Sequence, residues 1–342
     1  MNQKWVCHNL DQEHIDEITR VNNISRLLAS ILVNRNLTTE DNVRMFLNPT
    51  RNDFHDPFLL PDMDKAVARI LKAISNNEKV LIYGDYDVDG ITSIAVLKKF
   101  LKENGLDVGQ YIPNRLSEGY GLNKEALLKI FNEEYKLIIT VDCGISGNEE
   151  VEYVNSLGME IIITDHHEPT EILPNAIAIV DAKRNDNKYP FNQLAGVGVV
   201  FKLIQALSIK LGIDESQYLK YLDLVCVGTI SDIVPLVDEN RVISKLGLKL
   251  INQTKNIGLK LLIESLKYNK IDSNTISFGV APRINACGRM GFQEEALKLF
   301  LSEDKEECIE ILDKLIKFNT ERQNTERKIF DEAIEEVQRT RK

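Results

Sequence analysis

The sequence predicts an α/β protein with a doubly wound, mostly parallel β-sheet, a helical subdomain and a C-terminal linker helix. Between about residues 76 and 235, short β-rich runs alternate with helical segments, as they do in βαβ units. The β-rich runs are continuously apolar, which is typical of parallel strands covered by helices on both faces. Beyond residue 236 the apolar spacing is mainly helical, and that part is predicted to lack the alternation.

The first 75 residues are predicted to form an arm of helical and extended pieces. The stretch NISRLLASILVNRN has the apolar spacing of a helix. The stretch FLNPTRNDFHDPFLLPDMD contains three prolines and is predicted to run extended against another part of the molecule. Trp5, near the start of the chain, is predicted to lie in the core.

Residues 76–235 are predicted to form the sheet domain. Its strands are expected at KVLIYGD, GQYIP, KLIITVDC, EIIITD and AIAIVDA. Residues 236–310 are predicted to form a helical subdomain that contains the segment APRINACGRM. Residues 311–342 are predicted to form a charged connecting helix with a thin apolar seam at Ile329, Phe330, Ala333, Ile334 and Val337.

Composition and charge limit the class of protein. Of the 342 residues, 43% are hydrophobic and 27% charged, as in ordinary globular proteins. No apolar run reaches the ~18 residues of a membrane helix, and the start MNQKWVCHNL lacks the layout of a signal peptide. We therefore expect a cytoplasmic protein with no membrane partner. The net charge of −10 argues against broad nonspecific binding to nucleic acid, although bound metals and a few arginines can supply positive charge locally.

Cysteine usage indicates neither a disulfide framework nor a structural zinc site. The cysteines are odd in number, irregularly spaced and without a CxxC pair. We expect them to be reduced residues of the core or of strand ends: Cys7, Cys143, Cys226, Cys287 and Cys308.

Acidic and histidine side chains follow several of the predicted strands. Asp85 follows VLIYG, Asp142 follows LIITV, and Asp165 with His166 follows EIIIT. In an open parallel sheet, ligands bind outside the carboxyl ends of the strands. Three strands are therefore predicted to bring ligand-type side chains to one edge.

Carboxylates with an imidazole are suited to Mn²⁺ or Mg²⁺, and two such ions can serve phosphodiester hydrolysis. Other interpretations of the same motifs are weaker. A solvated turn would explain DYDVDG alone, and a hydrogen-bonded loop pair would explain His166 and His167 alone. An EF-hand loop requires a glutamate where Val96 stands and a helix where a strand is predicted. A P-loop requires a lysine before Thr92 and Ser93.

These motifs resemble those of the DHH phosphoesterases, which are named after the triplet that occurs here at residues 165–167. The resemblance is strongest to the bacterial single-strand-specific 5′→3′ DNA exonucleases of that family. It covers nearly the whole chain through segments in the family's order, among them YGDYDVDGITS, PNRLSEGYGLN, TVDCGIS, TDHHEP, LAGVGVVFKL, GTISDIVPL and APRINACGRMG. It implies hydrolysis of single-stranded DNA during repair and recombination.

The resemblance also implies a ligand set for two Mn²⁺ or Mg²⁺ ions. One ion would be held by Asp85, Asp87 and Asp142. The other would be held by Asp89, Asp142, His166 and Asp232, so that Asp142 bridges the two. His167 would face the scissile phosphate, and Asp165 would orient the imidazoles without touching metal. No protein serine or cysteine would need to act as the nucleophile.

Two further segments are predicted to contact the DNA. Arg115, Ser117 and Tyr120 lie in PNRLSEGYG, where a guanidinium can grip phosphate and an aromatic ring can stack on a base. A surface turn or a packed tyrosine would explain the same residues. The second segment, APRINACGRMG, is predicted to contact the DNA backbone through Arg283, Asn285 and Arg289.

The resemblance has one departure. Family members normally continue into a DHH-associated domain and an oligonucleotide-binding fold, so we expect the charged helix to start a linker to a missing C-terminal half. The resemblance also implies a helicase or a single-strand-binding protein as a partner.

Two other functions stay open. One is a DHH phosphodiesterase for short oligonucleotides or cyclic dinucleotides, or a pyrophosphatase of similar chemistry. The other is a noncatalytic nucleic-acid-binding module of a repair complex, against which the intact set of crowded carboxylates argues.

Overall fold

The computed structural model describes residues 11–268 and 270–340, so that Trp5 and Cys7 lie outside the described residues. The fold is α/β, as the sequence predicts. Its centre is one sheet of five parallel strands: β1 (Val80–Gly84), β2 (Val108–Tyr111), β3 (Leu137–Val141), β4 (Glu160–Thr164) and β5 (Ala178–Val180). Their order across the sheet is β2-β1-β3-β4-β5.

The winding direction of the sheet changes between β1 and β3. The chain goes from β1 outwards to β2 on one side, and then crosses back to place β3 on the other side of β1. Val80 of β1 is consequently paired with both Val108 and Leu137. A doubly wound sheet opens a crevice at the carboxyl ends of its strands at such a switch point.

Helices cover both faces of the sheet, which explains the continuously apolar strands. The covering helices are α4 (Met63–Asn76), α5 (Val88–Glu103), α6 (Lys124–Asn132), α7 (Asn148–Ser156) and α8 (Gly196–Leu211). Ile82 and Ile139 belong to a buried cluster with residues of α4, α5 and α8, whereas Leu81 and Ile138 belong to one with residues of α6 and α7.

The N-terminal arm has two parts. Helices α1 (Gln12–Asn22), α2 (Arg26–Asn34) and α3 (Glu40–Leu47) enclose a small core of their own. The proline-rich stretch then forms two short 3₁₀ turns, at Arg51–Asp53 and Pro57–Leu59, and packs on the main body.

The helices after β5 share the core of the sheet domain. Ile284, Leu297 and Leu315 belong to the same buried cluster as the strand residue Ile82. The division of the chain into four parts stays a prediction. After α8 come α9 (Ser216–Leu219), α10 (Leu222–Ser231), α11 (Asp238–Ile251), α12 (Ile257–Ser265), α13 (Ser273–Thr275), a π-helical turn (Ile276–Val280), α14 (Ala281–Met290), α15 (Gln293–Leu301) and α16 (Lys305–Thr340).

Helix α16 has 36 residues and is therefore about 54 Å long. It packs on the core as far as Asn319, and most of the helix beyond that residue is exposed. The predicted apolar seam is exposed too, with Ile329 at 61% and Phe330 at 62% of full accessibility. In the part of the chain that the structure describes, no helix has the length and apolarity needed to cross a membrane. The four described cysteines are free and buried.

Candidate metal centre

Three acidic residues reach the crevice from the ends of adjacent strands. Asp85 directly follows β1, Asp142 follows β3 and Asp165 follows β4. Since β1 and β3 flank the switch point, Asp85 and Asp142 lie where a ligand is expected to bind. All three side chains are buried.

Helix ends bring the remaining acidic side chains to the same place. Asp87 is the N-cap of α5, and Asp89 lies in the first turn of that helix. Both oxygens of Asp89 accept backbone hydrogen bonds at the start of α8, from Gly196 N at 2.6 Å and Val197 N at 2.9 Å. Asp232 directly follows α10. Three helices and three strands therefore meet at this site.

The structure places candidate ligand atoms in three groups, and within each group all the atoms lie within 4.8 Å of one another. The first group is the set that the resemblance implied for one ion. The second contains three of the four residues implied for the other ion. Asp142 and His166 each belong to two groups, so the sites adjoin. The groups are Asp85, Asp87 and Asp142; Asp89, His166 and Asp232; and Asp142, His166 and His167.

His166 links the carboxylates through both of its ring nitrogens. Its Nε2 lies 3.1 Å from Asp142 Oδ1 and 3.8 Å from Asp89 Oδ2. Its Nδ1 lies 3.7 Å from Asp232 Oδ2. Burial lowers the pKa of His166, which favours the neutral imidazole that metals require.

Glycines allow this close approach of side chains. A Cβ at Gly196 would lie 2.7 Å from Asp142 Cβ and 2.8 Å from Asp142 Oδ1. A Cβ at Gly228, in α10, would lie 3.0 Å from Asp89 Oδ1. Neither glycine was predicted from the sequence to belong to the site, because their roles depend on contacts between distant segments.

Asp142 has an unusual backbone conformation. Its φ of 59° is in the left-handed region, which non-glycine residues seldom adopt outside turns and functional sites. Its amide donates to Thr164 O at 3.1 Å, which extends the pairing of β3 with β4 by one residue. The pairing and the left-handed turn together direct the Asp142 side chain towards the ligand groups.

The buried carboxylates hold their protons more tightly than usual. Burial, followed by repulsion from Asp87, raises the pKa of Asp85 and of Asp89 to about 7. Burial and the charge of Asp89 raise the pKa of Asp232 to about 7. Burial, with repulsion from Asp89 next, raises the pKa of Asp142 well above its usual value. Such crowding is favourable when cations neutralise it.

Asp165 and His167 form a separate pair beside the ligand groups. His167 Nδ1 lies 2.7 Å from Asp165 Oδ1, and this hydrogen bond raises the pKa of His167. The pKa of Asp165 lies below its usual value because hydrogen bonds from His167 and backbone amides outweigh the effect of burial. The resemblance implied that Asp165 orients both imidazoles. Of His166, however, it contacts the backbone amide, at 2.7 Å, while Asp142 and Asp232 face the ring.

The PNRLSEGYG segment forms a loop at the rim of the crevice. Arg115 and Ser117 are exposed, and the Arg115 guanidinium stacks 5.3 Å from the centre of the Tyr86 ring. Tyr120 is half-exposed, and its hydroxyl donates to Asp142 O at 3.2 Å. The Arg115 guanidinium is therefore open to solvent beside Tyr86, whereas the Tyr120 hydroxyl already has a hydrogen-bond partner.

The three predicted DNA contacts on α14 have different environments. Arg289 is exposed. Its positive charge opposes the rise in the pKa of Tyr86 that burial and the charge of Asp85 cause, so it lies near the acidic cluster. Arg283 is half-buried and donates to Gly279 O at 2.6 Å. Asn285 Oδ1 accepts from Val88 N at 3.2 Å and so supports the first turn of α5. Arg289 suits contact with phosphate, while the hydrogen bonds of Arg283 and Asn285 point to a structural task.

Two residues of this region were not predicted from the sequence. Tyr86 lies between the candidate ligands Asp85 and Asp87, and the Arg115 guanidinium lies over its ring. Asp181 directly follows β5, is fully buried, and its Oδ2 lacks a hydrogen-bond partner among the described residues. The rule that selected Asp85 and Asp142, an acidic residue just after an apolar strand, would have selected Asp181 as well.

The residues present fit two divalent cations. Asp85 Oδ1 is buried and has no hydrogen-bond partner in the described part of the chain, as expected of an oxygen that awaits a cation. The donors are carboxylates with imidazole and without thiolate, a set that suits Mn²⁺ or Mg²⁺.

Comparison with known proteins agrees with this geometry. The DHH family model, for its N-terminal domain, matches residues 79–229. The single-stranded-DNA-specific exonuclease RecJ of Bacillus subtilis (strain 168) is 43% identical over 337 residues, which are 98% of this chain and 42% of the relative. The chain thus spans less than half the length of that protein.

Solved structures extend the likeness to three dimensions. A crystal structure of exonuclease RecJ bound to manganese has a TM-score of 0.75 and 37% identity, covering 80% of this chain and 69% of that one. RecJ from Thermus thermophilus in complex with Mn²⁺ has a TM-score of 0.82 and 31% identity, covering 94% of this chain and 46% of that one. The resemblance inferred from the motifs is confirmed, and this chain belongs to the RecJ family of DHH proteins.

Proposed function

We propose that this chain is the metal-dependent catalytic part of a single-strand-specific DNA exonuclease that digests from the 5′ end. The observation that carries the proposal is that two ligand groups adjoin in the switch-point crevice, where His166 Nε2 of one lies 3.1 Å from Asp142 Oδ1 of the other. The names of the RecJ relatives support the choice of substrate.

Each ligand group would hold one of the two ions. Asp85, Asp87 and Asp142 would hold one ion, and Asp89, His166 and Asp232 would hold the other together with Asp142. When bound, two Mn²⁺ or Mg²⁺ ions supply Lewis-acid stabilisation of both the attacking and the leaving oxygen of a phosphodiester.

We propose that His167 acts on the scissile phosphate. Its Nδ1 is engaged by Asp165, so Nε2 is the ring atom left to face the crevice. The Asp165 hydrogen bond raises the pKa of His167 and thereby favours a cationic imidazole. A donor of this kind stabilises negative charge that develops on phosphate oxygens.

Exposed arginines extend the site along the DNA backbone. The Arg115 guanidinium lies over the ring of Tyr86, next to the proposed ligands Asp85 and Asp87. The positive charge of Arg289 also reaches Tyr86 and favours a lower pKa of its hydroxyl. Guanidinium groups bind phosphate bidentately, and we propose that these two grip phosphates near the one that is cleaved. Ser117, exposed in the same loop as Arg115, can donate a further hydrogen bond.

Other attributes stay predictions from the sequence. They include roles in repair and recombination, a cytoplasmic location, and a helicase or single-strand-binding protein as partner. We also propose that full activity needs protein beyond this chain, because the chain covers 42% of its B. subtilis relative.

The direct test is an assay with long single-stranded DNA labelled at either end, with Mn²⁺ and with EDTA. We expect Mn²⁺-dependent release of nucleotides from the 5′ end. Turnover of dinucleotides alone would favour the short-substrate phosphodiesterase. DNA binding without metal or turnover would favour the noncatalytic module.

Two variants sharpen the assay. Asp142→Ala should reduce the rate by several orders of magnitude, as loss of both metal sites would. Arg115→Ala should weaken DNA binding and leave Mn²⁺ binding intact. Retained nuclease activity in Asp142→Ala would rule out a bridging Asp142, and unchanged DNA affinity in Arg115→Ala would remove that residue from the site.

A further inference from the structure

Tyr120 lies between two glycines that both have left-handed backbones. Gly119 has φ of 81° and Gly121 has φ of 83°. A Cβ at either position would meet no atom within 4 Å, so a side chain would fit there sterically. Glycine is favoured because its backbone adopts the left-handed conformation without strain. These two turns place Tyr120 so that its hydroxyl reaches the residue that follows β3.

The loop that carries Tyr120 is anchored to the sheet. Glu118 accepts hydrogen bonds from the Asn114 amide at 2.7 Å and from the Tyr111 hydroxyl of β2. Tyr83 of β1 donates its hydroxyl proton to Gly121 O at 2.9 Å. The anchors on both sides of Tyr120 hold its hydroxyl in a defined position.

The Tyr120 hydroxyl meets two residues of the candidate metal centre. It donates to Asp142 O at 3.2 Å and lies 3.3 Å from His167 Nδ1. A carbonyl oxygen can only accept, so the Tyr120 hydroxyl is the donor in its hydrogen bond with Asp142 O. The principal partner of this hydroxyl is therefore the backbone carbonyl of Asp142, whose φ of 59° is left-handed.

We propose that Tyr120 is a positioning residue of the metal centre. Its hydroxyl holds the Asp142 peptide in the left-handed conformation that directs the carboxylate to the two ligand groups. It also lies against the ring nitrogen through which His167 is bound to Asp165. This role rests on the proposed two-metal function, and it differs from the base stacking that was predicted for Tyr120 from the sequence.

Tyr120→Phe tests the proposal because it removes the hydroxyl and keeps the ring. We expect Mn²⁺ binding, measured by calorimetry on the full chain, to weaken about 3- to 10-fold, in line with the loss of one supporting hydrogen bond. In the DNA assay kcat should fall while KM for single-stranded DNA stays the same. Tyr120→Leu should behave as Tyr120→Phe does.

Tyr153→Phe is the matched control. It removes the phenol hydroxyl of a half-buried tyrosine on α7, outside the loop that carries Tyr120. It should bind Mn²⁺ as the parent chain does, and an equal loss in this variant would overturn a specific role for Tyr120. Normal Mn²⁺ binding by Tyr120→Phe, with a raised KM in Tyr120→Leu alone, would show base stacking and overturn the proposal.

The Mn²⁺ titration does not depend on DNA hydrolysis. A parent chain that binds Mn²⁺ but digests no DNA would count against the proposed nuclease and would still let Tyr120→Phe decide the positioning role. A parent chain that binds no Mn²⁺ would overturn both.

Discussion

Crowding of carboxylates governs the metal-free protein at the scale of single residues. Asp85, Asp89 and Asp232 have pKa values raised to about 7, and that of Asp142 is raised well above its usual range. Protons and metal ions therefore compete for the same oxygens, and metal binding should release protons. The structure tolerates this repulsion because the carboxylates are held by backbone amides, glycine contacts and a left-handed turn.

Stability without metal should depend on pH through this cluster. A folded pKa above the unfolded value of 3.8 means that stability is fully present below about pH 4 and is lost as pH rises towards 7. Asp142→Asn removes one of the groups, so in EDTA its Tm should exceed that of the parent by about 2 °C or more at pH 7.5 and by less at pH 5. Asp107→Asn, at an exposed position, is the control. A gain that is equal at both pH values, or larger at pH 5, would refute this account of the cluster.

Gly196 offers a second residue-scale prediction. It starts α8, where alanine is conformationally acceptable, so the effect of Gly196→Ala should come from the contact of the new methyl group with Asp142. We expect a loss of about 1–3 kcal/mol in the free energy of unfolding and a smaller rise of Tm on addition of Mn²⁺. Gly198→Ala, in the same turn but with its Cβ facing Leu194, should keep the full Mn²⁺ response. Equal Mn²⁺ responses in the two variants would disprove the role of Gly196.

At the scale of elements, a buried ion pair joins the N-terminal arm to two helices. Lys202 of α8 and Glu239 of α11 lie 2.8 Å apart, and both are fully buried. Lys202 Nζ also donates to His55 O at 2.7 Å, and Glu239 accepts the His55 amide at 3.0 Å and the Tyr189 hydroxyl. The backbone N–H and C=O of His55 in the arm thereby find hydrogen-bond partners on α11 and α8, which are far away in sequence.

Removal of one member of this pair should be costly, since it leaves a buried charge without its partner. Lys202→Met should lower the free energy of unfolding by about 3–5 kcal/mol. In the double variant Lys202→Met/Glu239→Gln, the free energy of unfolding should fall by less than the sum of its decreases in the two single variants. Urea denaturation of the four proteins of the cycle measures both quantities, and a cost under about 1 kcal/mol for Lys202→Met would show that the pair contributes little.

Helix α14 should affect metal and DNA through different residues. Asn285→Ala removes the acceptor for Val88 N at the start of α5, the helix that carries Asp87 and Asp89. We expect it to weaken Mn²⁺ binding about two- to tenfold. Arg289→Ala should leave Mn²⁺ binding unchanged and raise KM for single-stranded DNA. The reverse pattern in calorimetry and steady-state kinetics would assign Asn285 to the DNA and Arg289 to the fold.

At the scale of the whole molecule, the sequence predicts the sheet well because each strand is an apolar run that ends at a polar residue. That local pattern located Asp85, Asp142 and Asp165, and the motif resemblance added Asp87, Asp89 and Asp232. Neither the pattern nor the resemblance could predict the contacts of Gly196 with Asp142, of Tyr120 with the Asp142 peptide, or of Asn285 with Val88. Those contacts join segments that only the fold brings together. The core shared by the sheet and the later helices was also not visible in any one segment.

We propose that the whole fold assembles one centre for two ions that share Asp142. The most direct measurement is the anomalous scattering of a Mn²⁺-soaked crystal of the chain. We expect two peaks about 3.5–4 Å apart, one beside Asp85 and Asp87 and the other beside Asp89, His166 and Asp232, with Asp142 between them. A single peak, or two peaks that Asp142 does not join, would contradict it.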